Sequence, residues 1–327
     1  MINGSNHVRI KHIDALRGIA AIIVTFFHLT GNSGLSKQTA SIGKYGYTGV
    51  EIFFVISGFI LPYSLQKSGY KFQNFSVFML KRIARIYPAY IVAIIIGILI
   101  TLFAHVPLLP FKSIISHLVF LNVILGYNTI SPVFWTLAIE FQFYIVIGLS
   151  SKYFSSSNLG SVLLICIMIL ISLLISSPAY IFHWFPFFGL GILIYNSKFT
   201  GIPAWMFWLC TATIVIFVIA QYGLPEAIAG TFALLYICFV SMENKTKFNA
   251  VLLWLGVISY SLYLIHWDLG RSAVAVSRHI PLLALSEPLR LLVGFGFAVF
   301  CAYLLYLFVE KPSIKLSHKI KYNVKSQ

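Results

Sequence analysis

The run Ile13-Asp14-Ala15-Leu16-Arg17-Gly18-Ile19-Ala20-Ala21-Ile22-Ile23-Val24-Thr25-Phe26-Phe27-His28-Leu29-Thr30-Gly31 decides the class of fold. As a helix it spans about 28 Å, close to the thickness of a bilayer's hydrocarbon core. Asp14, Arg17 and His28 are its only ionisable residues. Nine further apolar runs follow, over residues 47–66, 86–105, 132–149, 161–177, 180–196, 203–221, 225–241, 252–269 and 289–309. The ten take up most of the 327 residues, so no sizeable soluble domain remains. Composition agrees: 59% of residues are apolar and 9% charged, where a soluble domain carries roughly a quarter charged. Mean hydropathy is +0.91. The expectation is an all-α polytopic membrane protein, a single transmembrane domain over residues 1–327 built as a bundle of about ten helices. The stretch Ile114–Leu125 is too short to cross and is expected at the interface or as a re-entrant segment. A signal peptide is the alternative for the first run; Arg17 and His28 within it, and no clear small-residue cleavage site after it, argue against that.

Twenty-three Lys and Arg against eight Asp and Glu give a net charge of +15. In a soluble chain that balance would point to nucleic acid. Here the loops carry the excess, which fits cytoplasmic segments facing anionic lipid and no nucleic-acid partner. With the N-terminus inside, sixteen cations fall on the cytoplasmic side. They are Arg9, Lys11, Lys67, Lys71, Lys81, Arg82, Arg85, Lys152, Lys198, Lys245, Lys247, Lys311, Lys315, Lys319, Lys321 and Lys325. Six fall outside, namely Lys37, Lys44, Lys112, Arg271, Arg278 and Arg290, and Arg17 sits within the first run. Both termini are therefore expected in the cytoplasm, as tails of about 1–12 and 310–327. Cys166, Cys210, Cys238 and Cys301 all lie in apolar runs without metal-ligand or redox spacing, so they read as packing residues, and no metal site is expected. Ser150–Asn158 reads as a loop between two halves, and no internal repeat is visible.

Ionisable groups inside a span cost several kcal/mol, so each one invites a functional explanation. Arg17 and His28 are eleven residues apart, which returns to within about 20° of the same helix face and separates them by about 16 Å. Asp14 joins that stripe. Glu51 lies in the second run at a depth comparable with His28, and Gly58 shares its face. Glu140 sits among Trp135, Phe141, Phe143 and Tyr144. Ser259, Tyr263 and His266 form a stripe in the ninth run. Arg82 and Arg85, at i and i+3, make a fork suited to phosphate. Each has a plainer reading. Arg17 can snorkel or pair with Asp14, His28 can bond to a loop, and Glu51 can form a structural ion pair. Glu140 and the Ser259 stripe can be packing contacts, and the Arg82–Arg85 fork can anchor lipid headgroups.

Together these residues resemble the acyltransferase-3 family. Ile13-Asp14-Ala15-Leu16-Arg17-Gly18 leading to Phe27-His28 resembles its opening motif, and Gly49-Val50-Glu51-Ile52-Phe53-Phe54-Val55-Ile56-Ser57-Gly58-Phe59 its second. Phe78-Met79-Leu80-Lys81-Arg82-Ile83-Ala84-Arg85-Ile86-Tyr87-Pro88 is similar to its arginine-rich cytoplasmic motif. Trp135-Thr136-Leu137-Ala138-Ile139-Glu140 with Phe143-Tyr144 is similar to a fourth. Ser259-Tyr260-Ser261-Leu262-Tyr263-Leu264-Ile265-His266 and Glu310-Lys311-Pro312 resemble the last two. Six motifs in the family's order are highly specific. Two departures are small: Asp268 stands where proline is expected after the late histidine, and Lys81 stands where arginine is common.

The resemblance implies transfer of an acyl group, most often acetyl, from cytoplasmic acyl-CoA to a hydroxyl of a surface glycan or lipid-linked sugar, in a bacterial inner membrane. Acetyl-CoA is then a co-substrate rather than a permanently bound cofactor, and no fused extracytoplasmic esterase-like domain is expected. Arg82 and Arg85 are expected to meet the anionic CoA, with Arg17 further along the donor path. His28 is expected as general base, with Glu51 orienting or stabilising its imidazole. Glu140, Trp135, Tyr144, Ser259, Tyr263 and His266 are the expected pocket and acceptor contacts. An acyl-histidine intermediate is the rival mechanism. A transporter or flippase for a glycolipid or small solute is the rival function, and a catalytically silent assembly subunit the third.

Overall fold

A computed structural model describes residues 10–31, 35–156, 158–240, 248–284 and 286–322. Of the expected cytoplasmic cations, Arg9, Lys245, Lys247 and Lys325 lie outside these residues, as does most of the N-terminal tail. The described residues are helical, with no strand among them. The elements are α1 (Lys11–Thr30), α2 (Lys37–Gly43), α3 (Gly49–Lys67), α4 (Phe75–Phe103), α5 (Phe111–Leu118), α6 (Trp135–Ser156), α7 (Asn158–Leu174) and α8 (Ile181–Phe199). They continue as α9 (Ala204–Gln221), α10 (Leu224–Phe239), α11 (Ala250–Val257), α12 (Ser259–Ile265), α13 (Arg271–Ser277), α14 (Pro281–Ala284), α15 (Glu287–Leu305) and α16 (Lys311–Lys319).

The described part of each of the ten apolar runs lies mostly on helix. Among the described residues, five helical segments are long and apolar enough to cross a membrane: Lys11–Thr30, Lys37–Lys67, Phe72–Phe103, Ala204–Gln221 and Glu287–Lys319. A sixth, Ala250–Val257 with Ser259–Ser277, is bent by 62°. The protein is thus an all-helical membrane protein. Residues 150–156, expected in a loop, instead extend α6. Serine is only a mild helix breaker, and its polarity marks where a helix leaves lipid as readily as where it ends. The short stretch after residue 110 forms α5 and a series of turns, consistent with a segment that does not cross.

Exposed apolar residues show which helices face lipid. On α7, Leu159, Leu163, Ile167, Leu170 and Leu174 recur every three or four residues along one exposed face. Helix α8 has no such face, being buried continuously from Phe185 to Asn196, as an all-round apolar helix at the centre of a bundle should be. Two crossings fix the site-bearing helices. A Cβ on Gly58 would stand 2.1 Å from the Phe188 carbonyl oxygen, so α3 and α8 pack backbone to backbone. A Cβ on Gly256 would stand 1.8 Å from the Asp14 carbonyl oxygen, which clamps α11 against the start of α1. The chain then turns at Ile258 and sends α12 along the polar stripe of α1.

Candidate active site

Two contacts zip those stripes together. Near one end of α1, Arg17 Nε donates to Ser259 Oγ at 3.2 Å. Eleven residues on, His28 Nδ1 lies 2.7 Å from His266 Nε2. The helical arithmetic that puts Arg17 and His28 on one face therefore holds, and the facing stripe Ser259–Tyr263–His266 is its partner.

Around Arg17 a cavity of about 130 Å³ opens between α1, α3, α4, α6 and α12. It collects the three guanidiniums of Arg17, Arg82 and Arg85 with the carboxylates of Glu140 and Glu310, a balance of three positive charges to two negative. The Arg82 guanidinium lies over the rings of Phe78, at 5.2 Å, and Tyr144, at 5.5 Å. Tyr144 in turn donates its hydroxyl proton to Glu140 Oε1 at 2.6 Å. The stack fixes the planar cation while leaving its edge free to point at an anion. Glu310 opens the closing motif, yet nothing in its spacing places it in the site. It is buried and accepts from the Ser261 hydroxyl at 2.6 Å and the Ser261 backbone N–H at 3.3 Å. It lies in a π-helical turn, Tyr306–Glu310, and such turns commonly re-aim a side chain at a functional site. Tyr260 also lines the cavity, its hydroxyl bonded to the Ile86 carbonyl at 2.8 Å, which ties α12 to α4.

Tyr263 links this cavity to the histidines. Its hydroxyl pairs with Thr136 Oγ1 at 2.9 Å, and its ring lies 5.6 Å from that of His266. His266 is fully buried. Its Nδ1 faces the carbonyls of Leu262 and Tyr263 at 3.0 and 2.9 Å, so Nδ1 carries the proton and Nε2 accepts. The 2.7 Å contact is then a bond donated by His28 Nδ1–H to His266 Nε2. That assignment leaves His28 Nε2 as a bare lone pair, the form of a general base.

Most of the expected residues converge here; two do not. Glu51 is buried in the first turn of α3, and its Oε2 has no hydrogen-bond partner among the described residues. It makes no hydrogen bond to His28, whose ring partner is His266. Gly49, two residues before Glu51, packs against Ala20, Ile23 and Val24 of α1, one to two turns short of His28, so the expected Glu51–His28 pairing does not form. Trp135 does not line the cavity either. It stacks on Trp184 at 4.7 Å and edges Phe54 at 6.4 Å. His266, expected against the acceptor, is a partner of His28 instead. Among the described residues no group of three His, Cys, Asp or Glu is placed to hold a metal ion.

The protein is a helical membrane acyltransferase. Residues 10–307 match the acyltransferase domain of the acyltransferase-3 family, and the chain belongs to that family. It is 28% identical over 279 residues, 78% of this chain and 81% of the other, to ORF330 of Acidianus two-tailed virus, which carries an acetyltransferase name. It is 30% identical over 158 residues, 43% of this chain and 39% of the relative, to acyltransferase MdmB of Streptomyces mycarofaciens. It is 31% identical over 153 residues, 42% of this chain and 23% of the relative, to the peptidoglycan O-acetyltransferase OatA of Listeria monocytogenes. No solved structure matches the chain.

Proposed function

We propose that the protein moves an acetyl group from cytoplasmic acetyl-CoA to a hydroxyl of a cell-surface or lipid-linked glycan, in a bacterial inner membrane that it crosses about ten times with both termini inside. In this reading Arg82 and Arg85 hold the phosphates of CoA, and Arg17 meets the donor further in. Its pantetheine arm passes Glu140, Tyr144, Ser259 and Tyr263 towards His28. His28 Nε2 takes the proton of the sugar hydroxyl as its oxygen attacks the thioester carbonyl. The C–S bond breaks, and the departing CoA thiolate recovers the proton from the imidazolium. His266 replaces Glu51 as the group that orients His28, accepting its Nδ1–H and favouring the tautomer that leaves Nε2 bare. Glu51 remains a buried carboxylate one helix away and acts on the site's electrostatics.

The observation that carries this reading is a cavity lined by three guanidiniums whose wall residue Tyr263 packs against the His28–His266 pair, in a chain of this family. A transporter explains buried charge equally well but gives no reason for an arginine-lined anion site beside a base. Acetyl-CoA tests the difference. At a hundredfold excess over its Kd, a bound ligand stabilises by about 2.7 kcal/mol, so acetyl-CoA should raise the unfolding temperature of the detergent-purified protein. Replacing both Arg82 and Arg85 with Ala should weaken that protection at least about tenfold in apparent affinity. No shift with the wild-type protein would favour the transporter.

A further inference from the structure

A second pocket, of about 270 Å³, lies beyond the histidine pair and is lined by Ile100, Trp267, Asp268, Arg271, Ser272 and Arg278 among others. Its position is fixed by two helices. On α4, Ile100 stands fifteen residues past Arg85, about 22 Å along the helix, so the pocket and the arginine cavity open towards opposite ends of the bundle. On the α12–α13 segment, Ser259 and Tyr263 line the first cavity, while Trp267, Asp268 and Arg271 line the second. The histidines stand between. Tyr263, a wall of the first cavity, lies 5.6 Å ring to ring from His266. Trp267, a wall of the second, meets His28 edge to face at 5.0 Å.

The π-helical turn His266–Gly270 builds this second wall. By widening the helix it keeps His266 against His28 while aiming Trp267 and Asp268 into the pocket. Asp268 is the residue that departs from the family's proline. Asp268 as a residue is 9% exposed, and its Oδ2 has no hydrogen-bond partner among the described residues. The buried Ser131 hydroxyl stands beside that carboxylate and can donate one bond to it, which leaves the rest of the carboxylate's acceptor capacity open. A buried carboxylate left with an open oxygen is unfavourable unless a ligand completes it. The Arg271 guanidinium, 4.5 Å over the Trp267 ring, gives the same wall a flat, cation-capped face.

We infer that this pocket is the acceptor site, and that Asp268 selects a sugar unit by accepting hydrogen bonds from its hydroxyls. The inference rests on the proposed function for the identity of the reaction, but not for the binding itself. A carboxylate beside an indole and guanidiniums is the set of groups that recognises a polyol ring. An acceptor held there would present one hydroxyl to His28, while the thioester arrives from the other side.

Labelling tests the site without activity. In proteoliposomes of the full-length protein, Ser272→Cys places a thiol in the pocket wall, and its reaction with a membrane-impermeant maleimide is followed by mass. Methyl α-D-glucopyranoside and methyl α-D-glucuronide are the probes. At least one should slow labelling several-fold, and Asp268→Asn in the same background should weaken that protection by about tenfold or more. Ile100→Trp fills the pocket from the α4 wall and should abolish the protection independently, which covers the case of an Asp268 variant that fails to fold. Labelling unaffected by both sugars, or protection that survives both variants, overturns the inference. Acetyl-CoA protection from unfolding, measured separately on the same preparations, reports on the proposed function. Its loss with sugar protection intact would remove the donor reading and leave this pocket standing.

Discussion

Replacing Gly58 with Ala should be among the most damaging single-methyl changes in the protein, and the structure gives its size. The added Cβ would stand 2.1 Å from the Phe188 carbonyl oxygen and 2.9 Å from its carbonyl carbon. Non-bonded heavy atoms settle at about 3.5 Å, so α3 and α8 must part by about 1.4 Å at this point. Both atoms are backbone, and α8 is buried on every side, so neither helix can yield by rotating a side chain. Phe188 also stacks on Phe54 at 4.7 Å and on Phe143 at 4.0 Å. Overpacking costs about 1–3 kcal/mol and each loosened aromatic pair about 0.5–1.5 kcal/mol, for a total near 3 kcal/mol. Thermal unfolding in detergent, followed with a thiol-reactive dye on the four free cysteines, measures this directly. Gly296→Ala is the control. It lies in α15 with nothing within 4 Å of its Cβ, and gains about 1 kcal/mol of helix propensity. Wild-type stability in Gly58→Ala, or an equal loss in Gly296→Ala, would refute the close-packed α3–α8 crossing.

Glu310→Ala should cost about 3 kcal/mol, because it strands both donors of Ser261 and leaves the three arginines facing Glu140 alone. Glu310→Gln keeps an acceptor and should recover part of that loss in the same unfolding assay. His266→Phe should lower kcat by about a hundredfold with little change in the KM for acetyl-CoA, since His28 loses its orienting acceptor while the donor cavity keeps its walls. Equal changes in kcat and donor KM would assign His266 to packing. Outside the spans, His117 clasps the segment after α5. Its Nε2 accepts the Ile130 N–H at 3.1 Å and its Nδ1 donates to the Ser113 carbonyl at 2.7 Å, while burial holds its pKa below the ordinary 6.5. The folded imidazole thus binds protons less readily than the open loop does. The clasp is fully formed above pH 6.5 and weakens as pH falls below it, so proteolysis near Gly126 should rise between about pH 7 and pH 5. His117→Gln should flatten that dependence.

Much of this architecture is legible in the amino-acid sequence. Hydropathy locates the helices because lipid demands long apolar runs, and the Arg17–His28 stripe follows from helical periodicity alone. The partners are less legible. Glu51 and His266 both sit deep in the bundle, and nothing in one helix's spacing says which of them faces His28. That depends on the bend at Ile258 and the Gly18–Gly256 contact, which bring α12 rather than α3 to the His28 ring. Glu310 escapes for a related reason. Two π-helical turns re-aim Glu310 and Trp267–Asp268 out of their α-helical register, so stripe arithmetic at 3.6 residues per turn points them elsewhere. Ser150–Asn158 reads as a loop because a polar stretch at the membrane surface has the same composition whether the helix ends there or continues into water.

His28 as the base of an acetyl transfer to a glycan is tested most directly in cells. Base-labile acetate on surface polysaccharide should be measured in cells lacking the gene and complemented with the wild type or with His28→Ala at matched membrane levels. Acetate restored by the wild type alone is the predicted result. Acetate restored equally by His28→Ala would remove the histidine from the chemistry, and no acetate with either protein would contradict the glycan as acceptor.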